Sequence, residues 1–532
     1  MKLFKKLLCL VFSVAIATST VACGGGGGST VGEKGTLYIA SFEGGYGATW
    51  TKALADAYTK HNPGVTVKVD CNPLVREEAV TAFQTNVTPV DLYFIDGLGI
   101  GNYCETYNSL ADISELYSST PKAGANEETV LVKDKIRAEI LSEMMYNGDQ
   151  AEFKGNYYAA PSPSGPCSLI LNIDALNMVF GEGNWDVPRT TDELFALCDA
   201  IATKKATVEV ANVKYTIYPF IYSGEALEYW RYLYYPWIAQ YSGMDAWNEM
   251  LTVKKNGVYD MSAYQPDGKL QAYEKLEKLI KRSNGYCDGA SMNNKFNQSQ
   301  KYFLQGRACM YITGDWLERE MEGSTEYKAD LQMVKVPVTS DLTAKLESQY
   351  GVTLGSTTAE KDQLLANVIS AIDSGATSYD GVSAEVFNEI KTARAITFTL
   401  GNNAVGVVPA VSVNKDLAID FLRFMYSDEG IQIVLNESGS YLPVVNANKF
   451  KAEGTVSTFR QSVNKIAEQD IIYMFTSSRD PIRYRAGLDL YIGNEYPETA
   501  LGKKTGALTA RQYLEKEQRL LAEKWEEFLK VL

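Results

Sequence analysis

Aromatic and acidic side chains concentrate in a glycine-rich stretch near the start of the chain. Phe42 to Trp50 reads FEGGYGATW and places Glu43, Tyr46 and Trp50 among three glycines. Glycine lets a backbone approach a ligand closely, while a carboxylate and rings supply polar and stacking contacts. This combination predicts noncovalent binding of a small molecule. A tight turn is the alternative, and the length and functional groups of the stretch favour binding.

A second glycine-rich stretch, DGLGIGN, runs from Asp96 to Asn102. It does not fit the dinucleotide-binding pattern G-x-G-x-x-G, because Asn102 occupies the place of the third glycine. Asp96 is its candidate ligand-binding side chain. A ligand-binding loop and a simple tight turn are equally compatible with this stretch.

Composition excludes several chemistries. The single histidine, His61, lies in the turn sequence KHNPG, so neither a zinc site nor a Ser-His-Asp triad is expected. The chain has no P-loop and hence no ATPase signature. Its net charge of −14 disfavours nucleic acid and anionic lipid as partners. We therefore expect no metal, no cofactor and no nucleic acid; the pairing of the cysteines stays open.

The order of elements predicts an α/β fold. Thr36 to Ser41 reads as a strand, a helix follows from Trp50, Val65 to Val69 alternate as a second strand, and a second helix leads to a buried strand, Val90 to Ile95. This alternation implies parallel pairing with right-handed crossovers. Both glycine-rich stretches follow strands, where ligands bind in open sheets of this kind.

Residues 1–22 have the features of an export signal. Lys2, Lys5 and Lys6 precede an apolar run that is too short to span a bilayer, and mostly small residues lead to Cys23. The segment resembles a bacterial lipobox, which implies a lipidated Cys23 followed by a flexible glycine-rich linker, residues 23–35. An ordinary signal peptide with an incidental Cys23 is the alternative.

An aromatic helical face in the middle of the chain has two interpretations. Trp230, Tyr234, Trp237 and Tyr241 recur at helical spacing, and Pro236 interrupts the run. Buried core is the commoner role of such a face, and the lining of a cleft is the alternative. The segment AAPSPSGP before it is typical of a crossing between two lobes.

Three blocks carry a resemblance to a known family. FLQGRACMYITGDW, from Phe303 to Trp316, contains Phe-x-x-Gly-Arg-Ala-x-Met followed by Gly-x-Trp. Asn402 to Val444 provides a strand, an Asn-Lys cap and a helix, and Pro188 to Leu194 provides Pro-x-Thr-x-x-Glu-Leu after Asn172. Together they resemble family 1 of the extracellular solute-binding proteins, the sugar-capturing partners of ABC importers.

The resemblance implies a two-lobed, periplasmic-binding-protein-like α/β fold with a ligand cleft between the lobes. Residues 36–160 would form the first lobe, with about 402–451 returning to it. Residues 161–401 would form the second lobe, with an insertion at about 339–394 that either enlarges the cleft or contacts a partner. Residues 452–532 would be a helical C-terminal part of the second lobe.

A sugar offers apolar ring faces and hydroxyl rims, so the resemblance implies aromatic and acidic ligand contacts. The expected stacking residues are Trp50, Trp230 and Trp316, and the expected carboxylates are Glu43, Asp96 and Asp315. Further candidates for the ligand site are Tyr46, Asn402, Asn403 and Arg483. The expected partners are a carbohydrate, ABC permease subunits and the membrane through the lipid anchor alone.

Two rival functions stay open at the level of sequence. A surface-anchored glycoside hydrolase would use two of these carboxylates at a fixed separation. The same receptor fold could instead bind a non-sugar ligand such as a peptide or a polyamine, because fold does not fix function.

Overall fold

The computed structural model describes residues 33–97, 99–146, 148, 150–323, 328–401, 404–454, 456–469, 471–476 and 495–530. Its strands, in chain order, are β1 Thr36–Phe42, β2 Thr66–Asn72, β3 Leu92–Ile95, β4 Lys122–Ala123, β5 Asn126–Glu127, β6 Ala160–Pro161, β7 Pro166–Asn172, β8 Thr207–Val210, β9 Val213–Thr216, β10 Tyr218–Phe220, β11 Lys254–Lys255, β12 Val258–Tyr259, β13 Ala308–Gly314, β14 Leu331–Val334, β15 Ile396–Thr399, β16 Val405–Val407 and β17 Ile472–Met474.

The α-helices are α1 Thr49–His61, α2 Val75–Thr85, α3 Ile100–Glu105, α4 Ser114–Ser118, α5 Val132–Lys135, α6 Ala138–Leu141, α7 Ile173–Phe180, α8 Thr191–Lys204, α9 Arg231–Ser242, α10 Met244–Thr252, α11 Gly268–Ile280, α12 Phe296–Leu304, α13 Leu317–Glu320, α14 Leu342–Tyr350, α15 Thr358–Asp373, α16 Ala384–Ala395, α17 Lys415–Met425, α18 Asp428–Ser438, α19 Thr458–Ala467, α20 Pro497–Gly502 and α21 Ala510–Leu529. Short 3₁₀ helices include Leu227–Trp230, directly before α9.

The first sheet has the strand order β2-β1-β3-β16-β6. β1 pairs in parallel with both β2 and β3, as the alternation of strands and helices predicts. Helix α1 packs on this sheet through Trp50, Leu54 and Tyr58, which recur every four residues and are buried. The carboxyl ends of β1 and β3 therefore bring the two glycine-rich stretches to one edge of the sheet.

The second sheet has the strand order β10-β13-β7-β15-β17, and β14 also pairs with β7. Every residue of β7 is buried, in agreement with its nearly continuous apolar sequence. Helix α8 begins where the sequence predicts, because the Thr190 hydroxyl accepts a 3.1 Å hydrogen bond from the backbone N–H of Glu193.

Each sheet has its own hydrophobic core, so the molecule consists of two lobes. We call the bodies built on the first and second sheets the first and second lobe. The chain crosses between them at residues 162–165, after β6, again between β15 and β16, and a third time between α18 and α19. β17 lies in the second sheet, so the segment expected to be helical also supplies a strand. The exact lobe boundaries implied by the resemblance stay a proposal.

The insertion forms a helical appendage of the second lobe. Its helices α14, α15 and α16 enclose a separate small core around Leu346, Leu365 and Phe387. It joins α8 through a 2.9 Å hydrogen bond from the Thr190 hydroxyl to Asp362. No residue of 339–394 belongs to the lining of the cavity between the lobes.

The cysteines that the structure describes are free thiols: Cys71, Cys104, Cys167, Cys198, Cys287 and Cys309. No helix in the described ranges combines the length and the apolar character needed to cross a membrane. The same ranges contain no group of three His, Cys, Asp or Glu side chains suited to hold a metal ion.

Candidate functional site

A cavity of ≈ 640 Å³ lies between the two lobes. The crossing segments contribute Ser162, Ser164, Leu400 and Ala404 to its wall, which places the cavity beside the hinge of the molecule. Concave sites that combine apolar walls with a few polar groups are typical of small-molecule binding. The cavity is therefore the candidate ligand site.

The first lobe contributes aromatic and charged groups from its two glycine-rich stretches. Trp50 lines the cavity and packs edge-on against Phe94 of β3, with ring centroids 4.9 Å apart. Asp96 follows β3, and its Oδ1 lies 3.7 Å from Nε of Arg76. Arg76 is an exposed residue in the first turn of α2. The carboxyl end of the sheet thus presents an indole and an ion pair to the cavity.

The second lobe contributes a wall of rings. Trp316 follows β13 directly and lines the cavity, and Tyr229 lies beside it with centroids 6.2 Å apart and planes at 73°. Tyr232 stacks on Phe398 of β15 at 4.9 Å, which fixes the orientation of its ring. Rings held in this way provide flat apolar surfaces for a ligand.

A buried hydrogen-bonded clasp joins the lobes at one end of the cavity. The Tyr46 hydroxyl donates to Oδ1 of Asp315 at 2.7 Å and accepts from the backbone N–H of Gly165 at 3.1 Å. The Arg460 guanidinium donates to the backbone carbonyl of Asp315 at 3.0 Å. Burial raises the pKa of Asp315, while Arg460 and hydrogen bonds from Ser440 and Tyr46 oppose that rise.

Close backbone approach makes the clasp possible. A Cβ at Gly45 would lie 2.6 Å from Cγ of Trp316, so only glycine lets the first-lobe stretch rest on this indole. A Cβ at Gly165 would lie 2.2 Å from the Asp315 carboxylate. The glycines of FEGGYGATW therefore serve contact between the lobes as well as access to the cavity.

Glu320 is a carboxylate of the second lobe that faces the cavity. It lies one helical turn after Trp316, and its backbone N–H donates to the Trp316 carbonyl at 3.0 Å. Gln300 donates a 2.6 Å hydrogen bond from Nε2 to Oε2 of Glu320. Burial raises the pKa of Glu320 to about 7, which the hydrogen bond from Gln300 only partly opposes.

The predicted site residues divide into three groups. Those that line the cavity are Tyr46, Trp50, Asp96 and Trp316. Glu43 is exposed, Asp315 is fully buried and Trp230 is buried, and none of the three belongs to the lining. The remaining predictions lie outside the described residues: Cys23, Asn402, Asn403 and Arg483.

Trp230 requires a correction, because the structure places it in the core of the second lobe. Its side chain is 2% exposed and packs against Phe220 and Tyr222. Tyr234 and Trp237 of the same face are also buried and do not line the cavity, so the core interpretation of that face is confirmed. The preceding residue, Tyr229, takes the place at the cavity that was predicted for Trp230.

Sequence reasoning missed several lining residues: Arg76, Tyr229, Arg231, Tyr232, Phe296 and Glu320. For Glu320 a signal was present, since residues four apart share one face of a helix and Trp316 was already a candidate. Tyr229 and Tyr232 also carried a signal, because they are aromatic residues of the same segment. They lie on a different helical face from Trp230 and Tyr234, and only the latter face was considered. Arg76 carried no local signal.

The chain belongs to the bacterial extracellular solute-binding proteins. The profile of the family described as "Bacterial extracellular solute-binding protein" matches residues 53–452. No curated protein matches the sequence. The family is defined by solute capture outside the cell, and a cavity between two lobes suits that role.

Solved structures share the fold. One, from a study of xylan utilization by the thermophilic bacterium Caldanaerobius polysaccharolyticus, has a TM-score of 0.58 at 15% identity and covers 91% of this chain and 99% of that one. A chitin oligosaccharide binding protein has a TM-score of 0.53 at 15% identity, with 93% and 100% covered. A secreted solute-binding lipoprotein from Streptomyces coelicolor has a TM-score of 0.56 at 14% identity, with 93% and 99% covered. At these identities the likeness establishes the fold alone.

Proposed function

We propose that this protein captures an oligosaccharide between its lobes and delivers it to the permease of an ABC importer. The observation that carries the proposal is a cavity whose walls from both lobes combine aromatic rings with carboxylates and guanidinium groups. Rings cover the apolar faces of a pyranose, and charged groups bind its hydroxyls. Two structural neighbours add support, since one comes from a study of xylan utilization and the other is a chitin oligosaccharide binding protein.

Ligand contacts from both lobes favour a closed arrangement of the two lobes over an open one. The contacts proposed here come from Trp50, Asp96 and Trp316, and from Asn402, Asn403 and Arg483 outside the described residues. Cys23, carrying lipid, would hold the protein on the outer face of the cytoplasmic membrane. No chemistry on the ligand is part of this function.

A panel of oligosaccharides tests the proposal by thermal shift and by release of reducing ends. A ligand that binds the folded state alone raises the melting temperature in a saturable way. We expect such a shift with at least one oligosaccharide and no new reducing ends. New reducing ends would instead indicate a glycoside hydrolase, and a shift with peptides or polyamines alone would contradict the sugar.

A further inference from the structure

The two arginines that line the cavity have acidic partners, whereas three of the acids that line it have no cationic partner among the described residues. Arg76 lies 3.7 Å from Asp96, and Arg231 donates to Glu498 at 3.2 Å, so both guanidinium groups already have acidic partners. Three acids line the same cavity without a cationic partner among the described residues: Glu225, Glu228 and Glu320. Among the described residues, the second lobe therefore presents an excess of negative charge to a ligand in this cavity.

Three rings of the second lobe form a corner at this acidic wall. Tyr229 lies 5.6 Å from Phe296 with the planes at 83°, and 6.2 Å from Trp316 with the planes at 73°. Rings at right angles around one point present π faces and edges in different directions. A cation placed over such faces is attracted by the ring quadrupoles, most strongly by indole.

Glu320 lines the cavity together with the three rings of this corner. It lies one helical turn after Trp316, and its backbone N–H donates to the Trp316 carbonyl at 3.0 Å. The Glu320 carboxylate has one hydrogen-bond partner among the described residues, the neutral side-chain amide of Gln300. A half-buried carboxylate with a neutral partner gains most from a ligand that brings a positive charge.

We propose that Glu320, with the rings of Tyr229, Phe296 and Trp316, forms a subsite for an ammonium group, and that the captured oligosaccharide is an amino sugar. This rests on the carbohydrate capture proposed above and adds the chemical class of the ligand. An ammonium supplies up to three hydrogen-bond donors and the compensating charge. A neutral hydroxyl supplies one donor and leaves the carboxylate uncompensated.

Three tetrasaccharides with one β-1,4 backbone test the subsite by isothermal titration calorimetry. Their units are glucosamine, glucose and N-acetylglucosamine, which differ only in the group at C2. At pH 7, where a substantial fraction of both the glucosamine amine and the Glu320 carboxylate is charged, we expect the glucosamine tetramer to bind at least about tenfold more tightly than the other two. Glu320→Gln should remove this preference, so that the glucosamine and glucose tetramers bind the variant with affinities within about threefold of each other.

Glu318→Gln is the matched control, because Glu318 lies on the same short helix and does not line the cavity. It should keep the preference for glucosamine. Equal binding of the glucose and glucosamine tetramers would overturn the ammonium subsite and leave carbohydrate capture intact. No binding of the glucosamine tetramer would overturn the amino-sugar assignment.

Spermidine, a polyamine without a sugar ring, tests whether the site recognises an ammonium group alone. Spermidine binding that Glu320→Gln removes, together with no response to any tetrasaccharide, would overturn both the amino sugar and the proposed function. Tight binding of the glucosamine tetramer with weak binding of spermidine is the expected result, because the sugar also contacts the rings of both lobes.

Discussion

The hydroxyl of Tyr46 in the first lobe donates a 2.7 Å hydrogen bond to Oδ1 of Asp315 in the second lobe. Asp315 is fully buried, and the same Tyr46 oxygen also accepts from the N–H of Gly165 in the crossing segment. One phenol thus links both lobes and the crossing segment that connects them.

Tyr46→Phe removes both hydrogen bonds and leaves the Asp315 carboxylate with one partner fewer in a buried place. We expect the free energy of unfolding to fall by about 1–3 kcal/mol, measured by urea denaturation. Tyr38→Phe is the control, since the Tyr38 hydroxyl forms no hydrogen bond within the described part of the chain. Equal stability of the two variants would contradict the role of the clasp.

Gly45→Ala inserts a Cβ at 2.6 Å from Cγ of Trp316, so the lobes or the indole must shift. We expect a cost of about 1–3 kcal/mol and a larger radius of gyration of the ligand-free protein in small-angle X-ray scattering. Gly64→Ala is the control, because no heavy atom lies within 4 Å of a Cβ at that position. Identical scattering curves would show that the first-lobe stretch does not rest on Trp316.

Glu320 makes stability depend on pH. Its folded-state pKa is about 7, and its ordinary value is 4.5. Because the folded state holds this proton more tightly, the contribution of Glu320 to stability is greatest below pH 4.5 and is lost as the pH rises through 7. Glu320→Gln should therefore be more stable than the wild type at pH 8 by about 1–3 kcal/mol and nearly equal at pH 4.

Urea unfolding at the two pH values measures this difference. Glu77→Gln is the comparison, because Glu77 is exposed on α2, lies outside the cavity and forms no ion pair within the described part of the chain. A Glu320→Gln variant that is no more stable than the wild type at pH 8 would mean that Glu320 is well solvated.

Neighbouring rings on one helical turn should have separate roles. Tyr229→Ala should weaken ligand binding by about 1–3 kcal/mol, because Tyr229 lines the cavity. Trp230→Ala should instead lower the free energy of unfolding by about 3–5 kcal/mol, because its indole fills the core. Binding calorimetry and denaturation on both variants measure the two effects. Weaker ligand binding in Trp230→Ala together with unchanged binding in Tyr229→Ala would contradict this and would make Trp230 the stacking residue.

The fold was predictable because local patterns agreed with it. β1, α1 and β2 follow from period-two and period-four apolar spacing, and Thr190 capped α8 as its sequence predicts. The fate of Trp230 was not predictable in the same way. Spacing shows that one face is apolar, but both the core and the cavity accept aromatic rings, so the tertiary position of the helix decides.

Asp315 shows a second limit of sequence reasoning. An acid beside Trp316 looks like a ligand contact, yet it pairs with Tyr46 and Arg460, which lie 269 and 145 residues away in the chain. Partners at such distances leave no local pattern. Arg76 entered the site for the same reason: only the packing of α2 against β3 brings it to Asp96.

The most direct measurement is calorimetric titration of the wild type and of Trp316→Ala with the oligosaccharide that stabilises the protein most. We predict one binding site per chain in the wild type and an affinity weaker by about 1–3 kcal/mol in the variant, with the fold intact. Equal affinities would place the sugar away from the cavity between the lobes and contradict the proposed function.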